Sequence, residues 1–216
     1  MLNFSPAEPL RRVLAIGCHA DDIEIGCGGT LLALVRANPE IEIDWLVLAA
    51  EGGRADEARA SAAGFLAGVA TSRVDVIGFR DGFLPYLGGE VKDVFEDLKG
   101  RVDPQLVLTH TGYDLHQDHR LACELTWNTF RNHAILEYEI PKVDGDLGRP
   151  NFYVPLSMEI VEEKLALLDR FFSSQARKHW FDHETFLGLM RLRGMECVAP
   201  HRYAEAFVCR KLVLST

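Results

Sequence analysis

Two short segments concentrate histidine and carboxylate: Cys18-His19-Ala20-Asp21-Asp22-Ile23-Glu24 and Asp114-Leu115-His116-Gln117-Asp118-His119. Imidazole nitrogen and carboxylate oxygen are the ligands of a catalytic zinc, which takes three protein ligands and leaves a position for water. One such cluster is common on a protein surface. Two in one chain, each beside an apolar run, point to a shared metal centre and to metal-assisted hydrolysis. His116 and His119 are three residues apart, which on a helical turn places both on one face. His110, His133, His179, His183 and His201 lack such company and read as surface or structural residues. His110 is the one to watch, because it ends the apolar run that leads into the second cluster. Cys18 adjoins the first cluster, but nearby carboxylates raise a thiol's pKa, which argues against a nucleophile.

These segments need elements to hold them. Arg12–Gly17 reads as a strand, and Gly28-Gly29-Thr30 then opens a helix over Leu31–Arg36. Ile41–Leu48, Val74–Phe79 and Gln105–His110 read as further strands, alternating with helices over Ala55–Gly68 and Val91–Lys99. The alternation predicts an α/β, Rossmann-like fold with a mostly parallel sheet, helices on both faces and right-handed crossovers. Binding sites in such sheets form at the strand C-termini, and both clusters follow strands. Glu137–Pro155 carries Pro141, Gly145, Gly148, Pro150 and Pro155 and predicts a β-containing excursion that shapes a pocket wall. Glu159–Phe172 and Asp182–Arg193 read as helices, and Ala204–Leu214 as a final strand. The expectation is a single domain over residues 1–216 with a C-terminal excursion.

The glycines Gly26, Gly28 and Gly29 invite a nucleotide-binding reading, but the spacing fails. A G-x-G-x-x-G fingerprint beginning at Gly26 would need glycine where Leu31 stands, and no Gly-Lys-Ser/Thr follows. They read instead as a close backbone turn into a helix. With 216 residues and 48% hydrophobic content the chain can bury one large core. A net charge of −9 argues against a nucleic-acid surface and favours a small-molecule partner, although Arg54, Arg59, Arg80 and Arg120 could still build a local anion pocket. Five cysteines, odd in number and without a zinc-ribbon pair, predict no disulfide framework. Met1–Leu10 contains Pro6 and Pro9 and no apolar stretch of the signal-peptide kind, and no later run approaches a transmembrane span. A cytoplasmic location is expected.

His19-Ala20-Asp21-Asp22-Ile23-Glu24 with Gly26 to Thr30, and His116-Gln117-Asp118-His119, resemble the two signatures of PIG-L/LmbE-like metal-dependent N-acetylglucosaminyl deacetylases. The resemblance extends over most of the chain. Glu51-Gly52-Gly53-Arg54 with Glu57, and Phe79-Arg80-Asp81-Gly82, look like the family's substrate-side loops, and Tyr203-Ala204-Glu205-Ala206-Phe207 like its C-terminal strand motif. The chain departs from the family's frequent prolines at Ala20 and Gln117, positions that supply no ligand. The resemblance implies that His19, Asp22 and His119 bind the metal, with Asp21 as general base. It further implies that His116 faces the developing oxyanion with Asp118 orienting it, and that Glu51, Arg54 and Asp81 contact substrate; if the Asp118 carboxylate hydrogen-bonds His116, it favours the imidazolium. The implied metal is Zn2+, with Fe2+ satisfying the same ligands. The implied partner is an N-acetyl sugar of the N-acetylglucosamine type or a glycoconjugate, and homo-oligomerisation stays open. Two alternatives stand beside it: an amidase for a non-sugar or thiol conjugate, and a non-catalytic metal- or sugar-binding module.

Overall fold

In the computed structural model, which describes Asn3, Ser5, Pro6 and residues 8–213, the apolar runs become strands covered on both faces. In β1 (Arg12–Gly17), Val13 and Ala15 pack into one core cluster while Leu14 and Ile16 pack into another. β2 (Glu42–Val47) divides in the same way, Ile43, Trp45 and Val47 against Leu46. This period of two, with apolar residues directed to both faces, is what a sheet covered on both sides requires. With β3 (Thr71–Val76), β4 (Leu106–His110), β5 (Ala134–Tyr138), β6 (Phe152–Leu156) and β7 (Tyr203–Val208) the sheet order is β3-β2-β1-β4-β5-β7-β6. The first five strands run parallel, and β7 is antiparallel to both β5 and β6.

The first core cluster is completed by α1 (Asp22–Ala37), α2 (Gly53–Phe65), α5 (Met158–Phe171) and α6 (His183–Glu196). The second lies under α3 (Gly88–Arg101) and α4 (Gln117–Thr129) on the opposite face. From β1 the chain moves outward through β2 and β3, then restarts at β4 on the other side of β1 and moves the opposite way. That reversal opens a crevice at the C-terminal ends of β1 and β4, where ligands bind in folds of this class. Both histidine–carboxylate segments emerge there.

The structure differs from the sequence reading in several places, and the strand read at Val74–Phe79 lies at Thr71–Val76. α1 begins at Asp22 rather than Leu31 and runs straight through the three glycines. A Cβ at Gly26 would lie 2.2 Å from the Tyr138 ring, one at Gly28 2.6 Å from Phe65 and one at Gly29 2.6 Å from Leu156. The close approach was legible, but it is made by a helix and not a turn, since packing outweighs a helix penalty of about 1 kcal/mol per glycine. α4 and β5 occupy residues that carried no clear periodic signal, and Glu137 and Tyr138 end β5 instead of opening the excursion. The excursion closes with β6, an edge strand. The last strand stops at Val208, and the expected end at Leu214 lies outside the described residues.

A buried ion pair ties these layers together. Glu205 on β7 accepts from the backbone N–H of Gly29 (2.8 Å) and Thr30 (2.6 Å), and Lys164 of α5 reaches both Glu205 Oε1 and the Ile25 carbonyl at 2.7 Å. All five cysteines are free. Among the described residues no helix is long and apolar enough to cross a membrane.

Candidate metal centre at the ends of β1 and β4

His19 sits in the turn after β1, Asp22 opens α1, and His119 lies in the first turn of α4. Their side chains meet. His19 Nδ1 is 3.2 Å from Asp22 Oδ2 and 3.2 Å from His119 Nε2, and His119 Nε2 is 3.4 Å from Asp22 Oδ2. Ligands about 2.1 Å from a tetrahedral zinc stand about 3.4 Å from one another. Donor type and spacing therefore both fit a divalent metal. His116 stands beside this triangle, with a ring nitrogen within 4.8 Å of those of His19 and His119.

The far side of each imidazole is braced. His19 Nε2 faces Asp81 Oδ1 at 3.0 Å and Asp118 Oδ2 at 3.3 Å, and Asp118 is held in turn by the N–H groups of Gly82 (2.8 Å) and Leu84 (3.1 Å). His119 Nδ1 lies 2.9 Å from Asp114 Oδ2, and its ring stacks on His110 with centroids 3.8 Å apart. Such outer partners fix ring orientation and tautomer at metal sites. His110, the last residue of β4, accepts from the Cys18 N–H at 3.1 Å and lies 3.2 Å from the Tyr138 hydroxyl. Burial pushes its pKa down to about 4, so it is a neutral wall of the site. Burial alone would raise Asp22, but His119, His110 and His19 hold its carboxyl well below the usual range. Burial, reinforced by Asp22, lifts the Cys18 thiol well above its ordinary value, which removes it as a nucleophile.

Asp21 is buried beside the triangle. Burial pushes its pKa up against the pull of Arg54, whose Nη2 lies 3.0 Å from Asp21 Oδ2 but outside hydrogen-bond geometry. Arg54 is anchored by Glu57 (2.7 Å), which accepts from the Ser174 hydroxyl at 2.7 Å. A buried carboxylate whose pKa is raised is suited to taking a proton near neutral pH. His116 caps α4: its Nδ1 accepts from the Asp118 N–H at 3.3 Å. An accepting Nδ1 places the proton of a neutral ring on Nε2, leaving Nε2–H as a donor. Burial, with His119 and His19 nearby, lowers the His116 pKa and favours this neutral form.

Several expected placements change. Asp118 does not orient His116 through its carboxylate, which turns to His19 and the backbone at Gly82 and Leu84. The contact with His116 runs through the Asp118 backbone N–H. Asp81, expected on a remote sugar hydroxyl, lies against His19, although its side chain is still 76% exposed. Arg54, expected at the aglycone, sits on Asp21. Glu51 is exposed in the turn between β2 and α2. Asp114 and His110 were seen in sequence but given no role. Asp114 stood two residues before His116 inside the cluster, and His110 at a strand end, so position was the signal available for each.

A doubly wound α/β fold with a histidine–carboxylate centre at its switch point defines the class. The family model described as PIG-L, GlcNAc-PI de-N-acetylase, matches residues 14–130, more than half of the chain and both motifs. The chain belongs to this LmbE-like deacetylase family. No curated protein matches it. Among solved structures, N,N'-diacetylchitobiose deacetylase from Pyrococcus horikoshii is similar at 20% identity and a TM-score of 0.68, over 94% of this chain and 86% of that one. The zinc-inhibited form of teicoplanin deacetylase Orf2 is similar at 16% identity and a TM-score of 0.69, over 91% and 96%. GalB, the 4-carboxy-2-hydroxymuconate hydratase from Pseudomonas putida KT2440, is similar at 16% identity and a TM-score of 0.75, over 96% and 99%. At these identities the likeness speaks for the fold, and one fold hosts more than one reaction.

Proposed function

We propose that this protein is a metal-dependent amide hydrolase that removes acetate from an N-acetylated amino sugar of the N-acetylglucosamine type or from its conjugate. The observation that carries the reading is the triangle of His19 Nδ1, Asp22 Oδ2 and His119 Nε2 with the Asp21 carboxyl and the His116 ring beside it. These three residues would hold the ion, with Zn2+ the first choice by ligand type and Fe2+ served by the same donors. When bound, such an ion lowers the pKa of a water and polarises an acyl carbonyl. Asp21 accepts the water proton and delivers it to the leaving amine nitrogen. His116 donates Nε2–H to the carbonyl oxygen as negative charge grows there. Arg54 keeps Asp21 aimed, and Asp118 and Asp81 hold the His19 ring. The solvent-facing part of Asp81, with Glu51 at the adjacent turn, would accept hydrogen bonds from sugar hydroxyls.

The test is amine release by metal-loaded protein across N-acetyl sugars, nucleotide sugars, glycoconjugates and simple acyl-amines. The expected outcome is fastest release from an N-acetylglucosamine-type conjugate. Equal rates on acyl-amines without a sugar ring would replace the sugar reading with a broader amidase. Sugar binding without turnover would leave a non-catalytic module. The fold likeness to GalB makes water addition to a carbon–carbon double bond a necessary control in the same screen.

A further inference from the structure

The segment between β5 and β6, residues 139–151, has no part in the chemistry above, yet one of its side chains enters the metal centre from behind. Lys142 Nζ lies 2.9 Å from Asp114 Oδ2, the oxygen that also meets His119 Nδ1 at 2.9 Å. The same ammonium lies 2.6 Å from Asp146 Oδ2, which accepts from the Leu115 N–H at 2.7 Å. The side chains of Lys142, Asp146 and Asp114 are 12%, 5% and 1% exposed, so this is not a solvated surface pair. Asp114 Oδ1 accepts from the His116 N–H at 2.8 Å. One carboxylate therefore reaches both histidines of the second motif, the ring of His119 and the backbone of His116, and Lys142 is the charged group that anchors it.

We propose that Lys142 is a positioning residue of the metal centre, acting through Asp114 to fix the His119 ring and, with Asp146, tying residues 139–151 to the loop that carries His116. It touches none of the three proposed ligands itself. Asp114 hangs from a loop, where two side-chain torsions are free unless partners set them. A charge-assisted contact is roughly twice as strong as a neutral one and is the means to set them. With an uncharged side chain at position 142, Asp114 keeps only the His116 N–H and the His119 ring as partners, so the point where His119 Nε2 meets His19 and Asp22 is held less firmly. The inference rests on the metal-centre reading but not on the identity of the substrate.

The experiment compares full-length protein with Lys142→Met, Lys142→Arg and Asp146→Asn. Zinc affinity is measured by competition with a chromophoric chelator, and ligand geometry by the visible spectrum of the cobalt-substituted protein. Lys142→Met is expected to weaken zinc by about 10- to 100-fold, as loss of an outer partner of a ligating histidine does, and to shift the cobalt bands. Lys142→Arg should restore most of the affinity, and Asp146→Asn should show a smaller loss in the same direction. Folded Lys142→Met protein with zinc affinity within about twofold of the parent and an unchanged cobalt spectrum overturns the proposal. Should Lys142→Met fail to fold, unchanged affinity and spectrum in Asp146→Asn overturn it instead. A parent protein that binds no zinc removes the metal centre and this inference with it. A parent that binds zinc tightly but releases no acetate removes only the substrate reading.

Discussion

Two clusters of buried charge in this molecule differ in their partners. Around Lys164 and Glu205 the charges are matched: Glu205 takes two backbone N–H groups and an ammonium, and the ammonium also takes the Ile25 carbonyl. At the ends of β1 and β4 the surplus is of ligand atoms. Two ring nitrogens and a carboxylate oxygen converge within 3.4 Å of one another, and Asp21 Oδ2 meets the Arg54 guanidinium at 3.0 Å without hydrogen-bond geometry. Burying unmatched polar atoms costs folding free energy, whereas a matched buried pair holds elements in register. Between these two clusters, saturation of partners, and not burial alone, is what differs.

The contrast can be broken most sharply at the ligand atoms. His19→Ala combined with His119→Ala should abolish stoichiometric zinc by elemental analysis while Lys164→Met keeps it. Full metal content in the double variant would dissolve the distinction. Next in size, Asp21→Asn should retain metal and lose about two to four orders of magnitude in turnover, because asparagine keeps the shape but cannot accept the proton. Near-parental turnover at confirmed metal content would remove Asp21 as base.

On the structural side the readout is stability. Breaking one partner of a buried pair leaves the other charge unmatched, so Lys164→Met should cost about 3–5 kcal/mol in urea unfolding of metal-free protein. A cost near zero would mean that the pair is dispensable to the fold. The smallest effect is expected at Gly26→Ala, where the new methyl meets the Tyr138 ring. Overpacking of this kind costs about 1–3 kcal/mol. Because Tyr138 also contacts His110, a shift in the cobalt spectrum of this variant would show that the core and the metal centre communicate, and an unchanged spectrum that they do not.

Much of the architecture was legible because its signal is local. The strands over Arg12–Gly17 and Leu106–His110 are short apolar runs, and each leads directly into a histidine–carboxylate segment. α4 and β5 were harder. The face that α4 buries includes Asp118, His119, Thr126 and Thr129, so its periodicity is hidden among polar residues that the site and core require. The glycines of α1 misled for a related reason: they lower helix propensity locally, while Tyr138, Phe65 and Leu156, distant in sequence, are what makes a side chain there impossible.

Residue types and order alone determined that this chain alternates strand and helix, that two segments could ligate a metal, and that both would follow strands. Those properties depend on side-chain chemistry and on neighbours a few positions away. Which oxygen meets which nitrogen was decided only in three dimensions. Asp118 braces His19 rather than His116, Arg54 holds Asp21 rather than an aglycone, and Lys142 reaches Asp114 from a segment that reads as a loop. The physical reason is that a carboxylate is aimed by the backbone N–H groups and cations that folding brings to it, and here these come from residues tens of positions away in the chain.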